Sequence, residues 1–253
     1  MKHIISLGAG VQSSTMALMA ARGEISPMPS AAVFADTGAE PESVYRFLDF
    51  VEARVPFPVF RVMHKSGLLH DLLNPTNNRA SNPPLFTEGG GMLMRKCTGD
   101  FKINPIRRKV RELCGGAPVT QWIGISTDEA HRMKPSNVQY ITHRWPLVEM
   151  GMNRGDCIAW MLANGYPQPP KSACSFCPYH DDTVWSEIKR NDPAAWEQAC
   201  TVDETIRNGF AGSRERLFVH RSRTPLRTAR LDAASERGQM DLWGEECEGM
   251  CGV

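Results

Sequence analysis

The chain has 253 residues, 42% hydrophobic and 23% charged, and its 29 Lys and Arg nearly cancel 28 Asp and Glu to a formal net charge of +1. This composition excludes disordered and fibrous classes and fits one well-cored globular domain with an appended part. No apolar run is long enough to span a bilayer and no leader precedes the first apolar strand, so the expectation is a cytoplasmic protein with no membrane partner.

The first strand is expected in "HIISLG", residues 3–8. It runs through Ser6 into the loop Gly8-Ala9-Gly10-Val11-Gln12-Ser13-Ser14, and a helix is expected over residues 13–22. Such a loop can wrap an anion, because glycines allow close backbone approach and the N–H groups opening the helix point at it. The Gly-Lys-Ser/Thr ending of a Walker loop is missing. "AAVFADTG", residues 31–38, reads as a second strand closed by Asp36-Thr37-Gly38. A helix follows with Val44, Phe47, Leu48 and Val51 on one face. "FPVFRVMH", residues 57–64, is a third strand. Alternation of this kind implies a parallel sheet covered by helices.

Residues 74–93 are rich in Asn, Pro and Gly and form a long loop of the sort that closes over substrates. A helix with Ile106, Val110 and Leu113 on one face ends at Gly115-Gly116. "VTQWIGIS" and "YITHRWPL" read as further strands, and helices are expected over residues 154–164, 182–190 and 194–207. The fold class expected is therefore α/β, a doubly wound parallel sheet over residues 1–212, with an Arg-rich extension over 213–253. Two stretches are locally basic, residues 102–111 and 213–230. Either alone reads as a solvated face, and together they are compatible with an anionic partner.

Of eight cysteines, Cys114, Cys157 and Cys200 sit in helical patterns and read as small apolar fillers. Cys174 and Cys177 form a C-x2-C pair, a spacing that lets two thiolates reach one metal or cluster. Cys97, in "MRKCTGDFK", is the natural third ligand and opens an expected helix whose dipole favours a thiolate. A structural zinc knuckle is the alternative, though no second C-x2-C or close His pair completes it. Cys247 and Cys251, a Cys-x3-Cys pair, suit a persulfide carrier or a resolving pair.

In this order the motifs resemble the PP-loop pyrophosphatase superfamily, and within it the branch of phosphoadenylyl-sulfate (PAPS) and adenylyl-sulfate (APS) reductases. The resemblance spans residues 4–180. It implies that Ser6, Gly8, Gly10, Gln12, Ser13 and Ser14 cradle the phosphates of ATP or a sulfonucleotide, with Mg as a further cofactor, although Gln12 stands where the family usually has an Asp and departs from its metal role. It implies that Asp36, Thr37 and Gly38 lie near the adenosine, and that Asp128, Glu129 and Arg132 of "WIGISTDEAHR" face the phosphates. It also implies a [4Fe–4S] cluster on Cys97, Cys174 and Cys177. One cysteine of the family's set is missing, so the fourth position is open, or is filled by His180 or a tail cysteine. The tail "EECEGMCGV" partly matches the segment carrying the family's nucleophilic cysteine, but lacks its histidine.

Three functions follow. The first is an ATP-dependent sulfurtransferase that adenylates a nucleobase and replaces its oxygen by sulfur. The second is a sulfonucleotide reductase using Cys247 or Cys251. The third is a nucleotide- or cluster-sensing module without turnover. The partners expected are a small-molecule nucleotide, a nucleic-acid acceptor, a protein donating sulfur or electrons, and a second copy of the chain in a homodimer.

Overall fold

The structure, a computed structural model, describes residues 1–65, 67–74, 83–209 and 215–231. Its centre is a five-stranded sheet of β1 (Lys2–Leu7), β2 (Ala31–Asp36), β3 (Val59–Met63), β5 (Val119–Ile123) and β6 (Ile141–Arg144). All neighbours are parallel and the order is β3-β2-β1-β5-β6. The order reverses between β1 and β5, so the doubly wound fold is observed. In such sheets ligands bind beyond the carboxyl ends of the strands at that reversal.

The strands are apolar on both faces, as parallel strands covered on both sides must be. Ile5, Leu7, Ala32, Phe34 and Trp122 pack beneath α1 (Val11–Ala21), α2 (Glu42–Glu52), α5 (Pro146–Glu149) and α6 (Arg154–Ala163). Their neighbours Ile4, Val33, Ala35, Val119 and Ile141 face the other way, onto Ile106 and Val110 of α4 (Asn104–Cys114). Val44, Phe47, Leu48 and Val51 are buried as their spacing requires. No helix among the described residues is long and apolar enough to cross a membrane.

A second core lies beside the sheet. It gathers Leu68 and Leu72 of α3 (Leu68–Leu73), Leu85, Phe101, Phe176, Trp185 of α7 (Asp182–Asn191) and Trp196 of α8 (Pro193–Thr205). The strand pair β4 (Phe86–Thr87) and β7 (Leu217–Phe218) closes it. The described part of the C-terminal stretch is built into this core through Leu217, Val219 and Leu226. Three of its arginines are engaged with carboxylates: Arg216 with Glu88 at 3.6 Å, Arg221 with Asp182 at 2.8 Å, and Arg227 with Glu197 at 2.7 Å and Glu204 at 2.9 Å.

Two buried carboxylates fasten that stretch. Asp203 accepts from the backbone N–H of Val219 and of Leu226, each at 2.9 Å. Asp182 accepts from His220 Nε2 at 2.9 Å and from Arg221 at 2.8 Å. Burial opposes the charge on Asp182, but donation from Arg221 and His220 outweighs it and holds the carboxyl below its ordinary value. A folded value below the unfolded one, about 3.9, means that this stabilisation is complete above that pH and is lost as the pH falls through the folded value. Asp182→Asn is therefore expected to lower unfolding free energy at pH 7 by about 2 kcal/mol, by leaving buried donors poorly matched. It should also flatten the loss of stability below about pH 4. Urea denaturation from pH 7 down to pH 2 measures both; an acid limb as steep as that of the native protein would show that Asp182 is not the clamp.

Candidate active site

The loop after β1 is shaped by its own contacts. Ala9 takes a left-handed conformation, φ 56°, which bends the chain out of the strand. The Gly8 N–H donates to Ser13 Oγ at 3.0 Å, and Ser172 Oγ donates to the Gly8 carbonyl. No acidic side chain lies in the first turn of α1 and no side chain caps it, so its opening N–H groups are arranged to receive an anion. Ser14 Oγ, in that turn, is buried with no hydrogen-bond partner among the described residues. Ser6 is placed differently: its hydroxyl accepts from Gln121 of β5 at 2.6 Å, inside the sheet.

β5 delivers the opposite wall. A Cβ on Gly124 would stand 2.7 Å from Ser13 Cα and 2.8 Å from Ser13 N, so only glycine lets β5 end against the opening of α1. Gln12 Nε2 then reaches Glu129 Oε2 at 3.1 Å and Ser126 Oγ at 3.4 Å, while Arg132 holds Glu129 Oε1. The reverse amide orientation would aim an oxygen at the carboxylate, so Gln12 is the donor. Asp128 turns away and accepts from the Arg154 N–H, at the start of α6. Glu129 and Arg132 thus join the loop and Asp128 does not. Mg²⁺ demands oxygen ligands. Here position 12 offers an amide whose Nε2 donates to Glu129, and Glu129 is held at both oxygens, so neither stands as a free carboxylate.

At the end of β2, Gly38 takes φ 68° and donates to Asp36 Oδ1 at 2.7 Å. Thr37 is buried, and its hydroxyl meets Cys174 Sγ at 3.4 Å rather than the open edge. The Thr37 carbonyl accepts from Leu68 N–H at 2.8 Å, and a Cβ on Gly67, φ 90°, would come within 2.9 Å of it.

Cys97, Cys174 and Cys177 line one pocket, with Thr37, Arg95, Lys102 and Tyr179. Cys97 precedes a π-helical turn, Thr98–Ile103, that runs on into α4. Cys174 and Cys177 lie on a turn fixed by Cys177 N–H to Cys174 O at 2.9 Å and Ser175 N–H to Ala39 O at 2.8 Å. His180 Nε2 donates to the same Cys174 carbonyl at 3.0 Å. Burial lowers the His180 pKa to about 4, so the ring is neutral at pH 7. With Nε2 engaged, His180 serves here as a brace for the cysteine turn. Burial, and then the Glu40 carboxylate, push the Cys174 thiol well above its usual range, against Lys102 and the Thr37 hydroxyl.

Among the described residues no three His, Cys, Asp or Glu side chains gather closely enough to hold a single metal ion. Three cysteine thiols around one pocket are a donor set of the soft kind that zinc and iron–sulfur clusters use. Cys247 and Cys251 lie outside the described residues, as do residues 75–82 of the long loop.

No protein-family model matches the chain, and no curated protein does. Among solved structures, it is similar to the PAPS reductase of Candida auris in its phosphate complex, at 15% identity and a TM-score of 0.48. That match covers 67% of this chain and 75% of the other.

Several residues of this edge escape the motifs. Lys102, read as part of a surface basic run, is buried and pairs with Glu40 at 3.2 Å. Glu40 Oε2 has no hydrogen-bond partner among the described residues. Ser172 and Gly67 carried no signal, whereas Gly124, directly after an apolar strand, did. Gly124→Ala is expected to destabilise the fold by about 1–3 kcal/mol through overpacking. Gly99→Ala, where a Cβ meets nothing within 4 Å, should stay within about 0.5 kcal/mol. Equal denaturation midpoints for the two variants would refute the close approach.

Proposed function

We propose that this chain is a nucleotide-dependent enzyme of sulfur chemistry, and that it reduces a sulfonucleotide. The observation that carries the reading is the seating of the thiol pocket against the anion loop. Ser172 ties the cysteine segment to Gly8, while Thr37 and Ala39 tie it to the end of β2. A nucleotide whose phosphates rest on residues 8–14 has its reactive group close to the strand ends that carry this pocket.

In this reading the thiolate of Cys247 or Cys251 attacks the sulfate sulfur. The bond from that sulfur to the phosphate oxygen breaks, and the nucleoside 5′-phosphate leaves. The second cysteine then attacks the sulfur of the first, which frees sulfite and leaves a disulfide. An external dithiol reductant restores the pair. The loop N–H groups and Arg132 stabilise the departing phosphate. Cys97, Cys174 and Cys177 would hold an iron–sulfur cluster, which would supply Lewis-acidic iron beside the reacting group. Lys102 and Thr37 Oγ1 lie next to Cys174, where they orient its sulfur.

ATP-dependent sulfur transfer is the second reading, favoured by a pocket that presents three cysteines among the described residues. In either case the three cysteines carry the cofactor. Anaerobically purified protein is expected to contain iron and sulfide, with a broad absorption band near ~400 nm of the kind cysteine-held clusters give. Cys97→Ala, Cys174→Ala and Cys177→Ala should each lose it; a colourless native protein would sink the cluster. With dithiothreitol, APS or PAPS should yield equal amounts of sulfite and nucleotide. Cys247→Ser and Cys251→Ser should abolish that turnover while sparing the cluster. Release of pyrophosphate from ATP that depends on an RNA acceptor, with no sulfite from either sulfonucleotide, would replace this reading by the second.

A further inference from the structure

We infer that Ser222 is a second nucleophile of this chain, a hydroxyl activated by His220 and Asp182 to take an acyl group from an activated ester. None of the three lines the thiol pocket or belongs to the anion loop. The inference therefore goes beyond the nucleotide reading and does not depend on it.

The first ground is a relay of hydrogen bonds. Ser222 Oγ lies 2.7 Å from His220 Nδ1, and His220 Nε2 lies 2.9 Å from Asp182 Oδ1. A third bond fixes their direction. The Ser222 N–H donates to His220 Nδ1 at 3.2 Å, so Nδ1 carries a lone pair. The ring proton is then on Nε2, facing the carboxylate, and the Ser222 hydroxyl donates to Nδ1. A hydroxyl on a base that a third group orients is the arrangement that activates serine. The two ring nitrogens exchange their more usual roles, with the same proton count.

The second ground is burial. His220 and Asp182 are each 2% exposed, whereas Ser222 is open to solvent. Asp182 Oδ2 is held by Arg221 at 2.8 Å, so the carboxylate stays turned toward the ring. Burial lowers the His220 pKa, against the pull of Asp182 and Asp203. The ring is accordingly neutral near pH 7 and free to take a proton. A fixed, dry base thus stands beneath a hydroxyl that a reagent can reach.

The third ground is the turn itself. Arg223 takes a left-handed conformation, φ 57°, and its N–H donates to the His220 carbonyl at 3.0 Å. This closes a tight turn that lays Ser222 over the imidazole. Strained backbone recurs at functional sites, and a sharp turn is one known way to present a serine nucleophile. Thr224 Oγ1 lies 2.7 Å from Ser222 Oγ. With Ser222 donating to His220, Thr224 is the donor there, which leaves one lone pair of Oγ to attack.

On attack the bond from Oγ to the carbonyl carbon forms, and the bond from that carbon to the leaving oxygen breaks. The hydroxyl proton passes to Nδ1 and from there to the departing oxygen. Ser222 is left as an ester, and nothing is oxidised or reduced.

The test is incubation of the full chain with a fluorophosphonate, which undergoes the matching attack: the Oγ–P bond forms, the P–F bond breaks, and fluoride leaves. Peptide mass spectrometry should find the label on Ser222. Ser222→Ala should lose that label with an unchanged denaturation midpoint. His220→Gln, which has no imidazole to take the proton, should slow labelling at least about 100-fold. Asp182 acts through His220 as a positioning residue, and its readout is the pH profile. The charged groups facing the ring are Asp182 of α7, Asp203 of α8 and the adjacent Arg221. With the folded value below the ordinary one, native labelling should hold constant above about pH 6.5 and decline only below it. Asp182→Asn should lower the plateau about tenfold or more and move the decline to lower pH. Should His220→Gln not fold, the native profile decides. No label on Ser222, a rate that keeps climbing with pH above neutrality, or His220→Gln labelling as fast as the native protein would overturn the inference. The nucleotide reading stands in each case.

Discussion

The hydroxyl of Ser172 donates to the carbonyl of Gly8, and the N–H of Ser175 to that of Ala39. These two bonds join the segment carrying Cys174 and Cys177 to the ends of β1 and β2. Without them the anion loop and the thiol pocket would be separate features of one surface. With them, the two stand along one edge of the sheet, on the side where its strand order reverses. Backbone carbonyls at strand ends have no ladder partner and must be satisfied locally. The sequence does this with the residues that flank the cysteines, so meeting a structural requirement also sets the chemistry in place.

The same economy governs charge. Glu40 and Lys102 are both buried and face each other beside Cys174. Glu129 sits between Gln12 and Arg132 at the other end of the edge. A buried ion tolerates its loss of water only when a partner and further hydrogen bonds replace it. Each carboxylate is thus met by at least one cation or amide, and the first turn of α1 carries no acidic side chain of its own. An arriving anion is met by donors already oriented, with no resident carboxylate to displace. Preorganised donors of this kind need little reorganisation when charge moves toward them.

The sheet was legible in the sequence because its signals are local. Ile4 and Ile5 and Ala31 to Ala35 are apolar runs, and Val119, Trp122 and Ile123 flank Thr120 and Gln121 in a short β-rich stretch, as buried parallel strands allow, and the faces of α2 and α4 repeat at helical spacing. The loop at Gly8 and the C-x2-C pair announced themselves by residue type. What stayed hidden depended on tertiary contact. Lys102 looks like any other residue of a basic run until the turn after Cys97 carries it inward. Thr37 reads as a nucleotide contact within Asp-Thr-Gly, yet its hydroxyl faces Cys174, because the β3–α3 connection at Gly67 packs across its carbonyl. Asp128 and Glu129 are adjacent acids with nothing in the sequence to separate them; the tight turn sends one to α6 and the other to Gln12. The described arginines of the C-terminal stretch suggested a polyanion surface, and several are taken up by Glu88, Asp182, Glu197 and Glu204.

The second core explains why those arginines are where they are. Residues 215–231 have almost no regular structure of their own, since β7 is two residues long. What holds them is burial of Leu217, Val219 and Leu226 together with the carboxylates of Asp182 and Asp203. Leu231 then packs on the same apolar cluster that Cys97 and Cys174 adjoin. Cys247 follows only 16 residues later in the chain, a span of at most about 58 Å fully extended. On the reading proposed above, a thiol on such a tether meets the nucleotide at an effective concentration set by the tether rather than by the solution. Fastening the stretch to the pocket's own core is therefore worth two buried carboxylates: it shortens the tether on which any chemistry of the terminal cysteines depends.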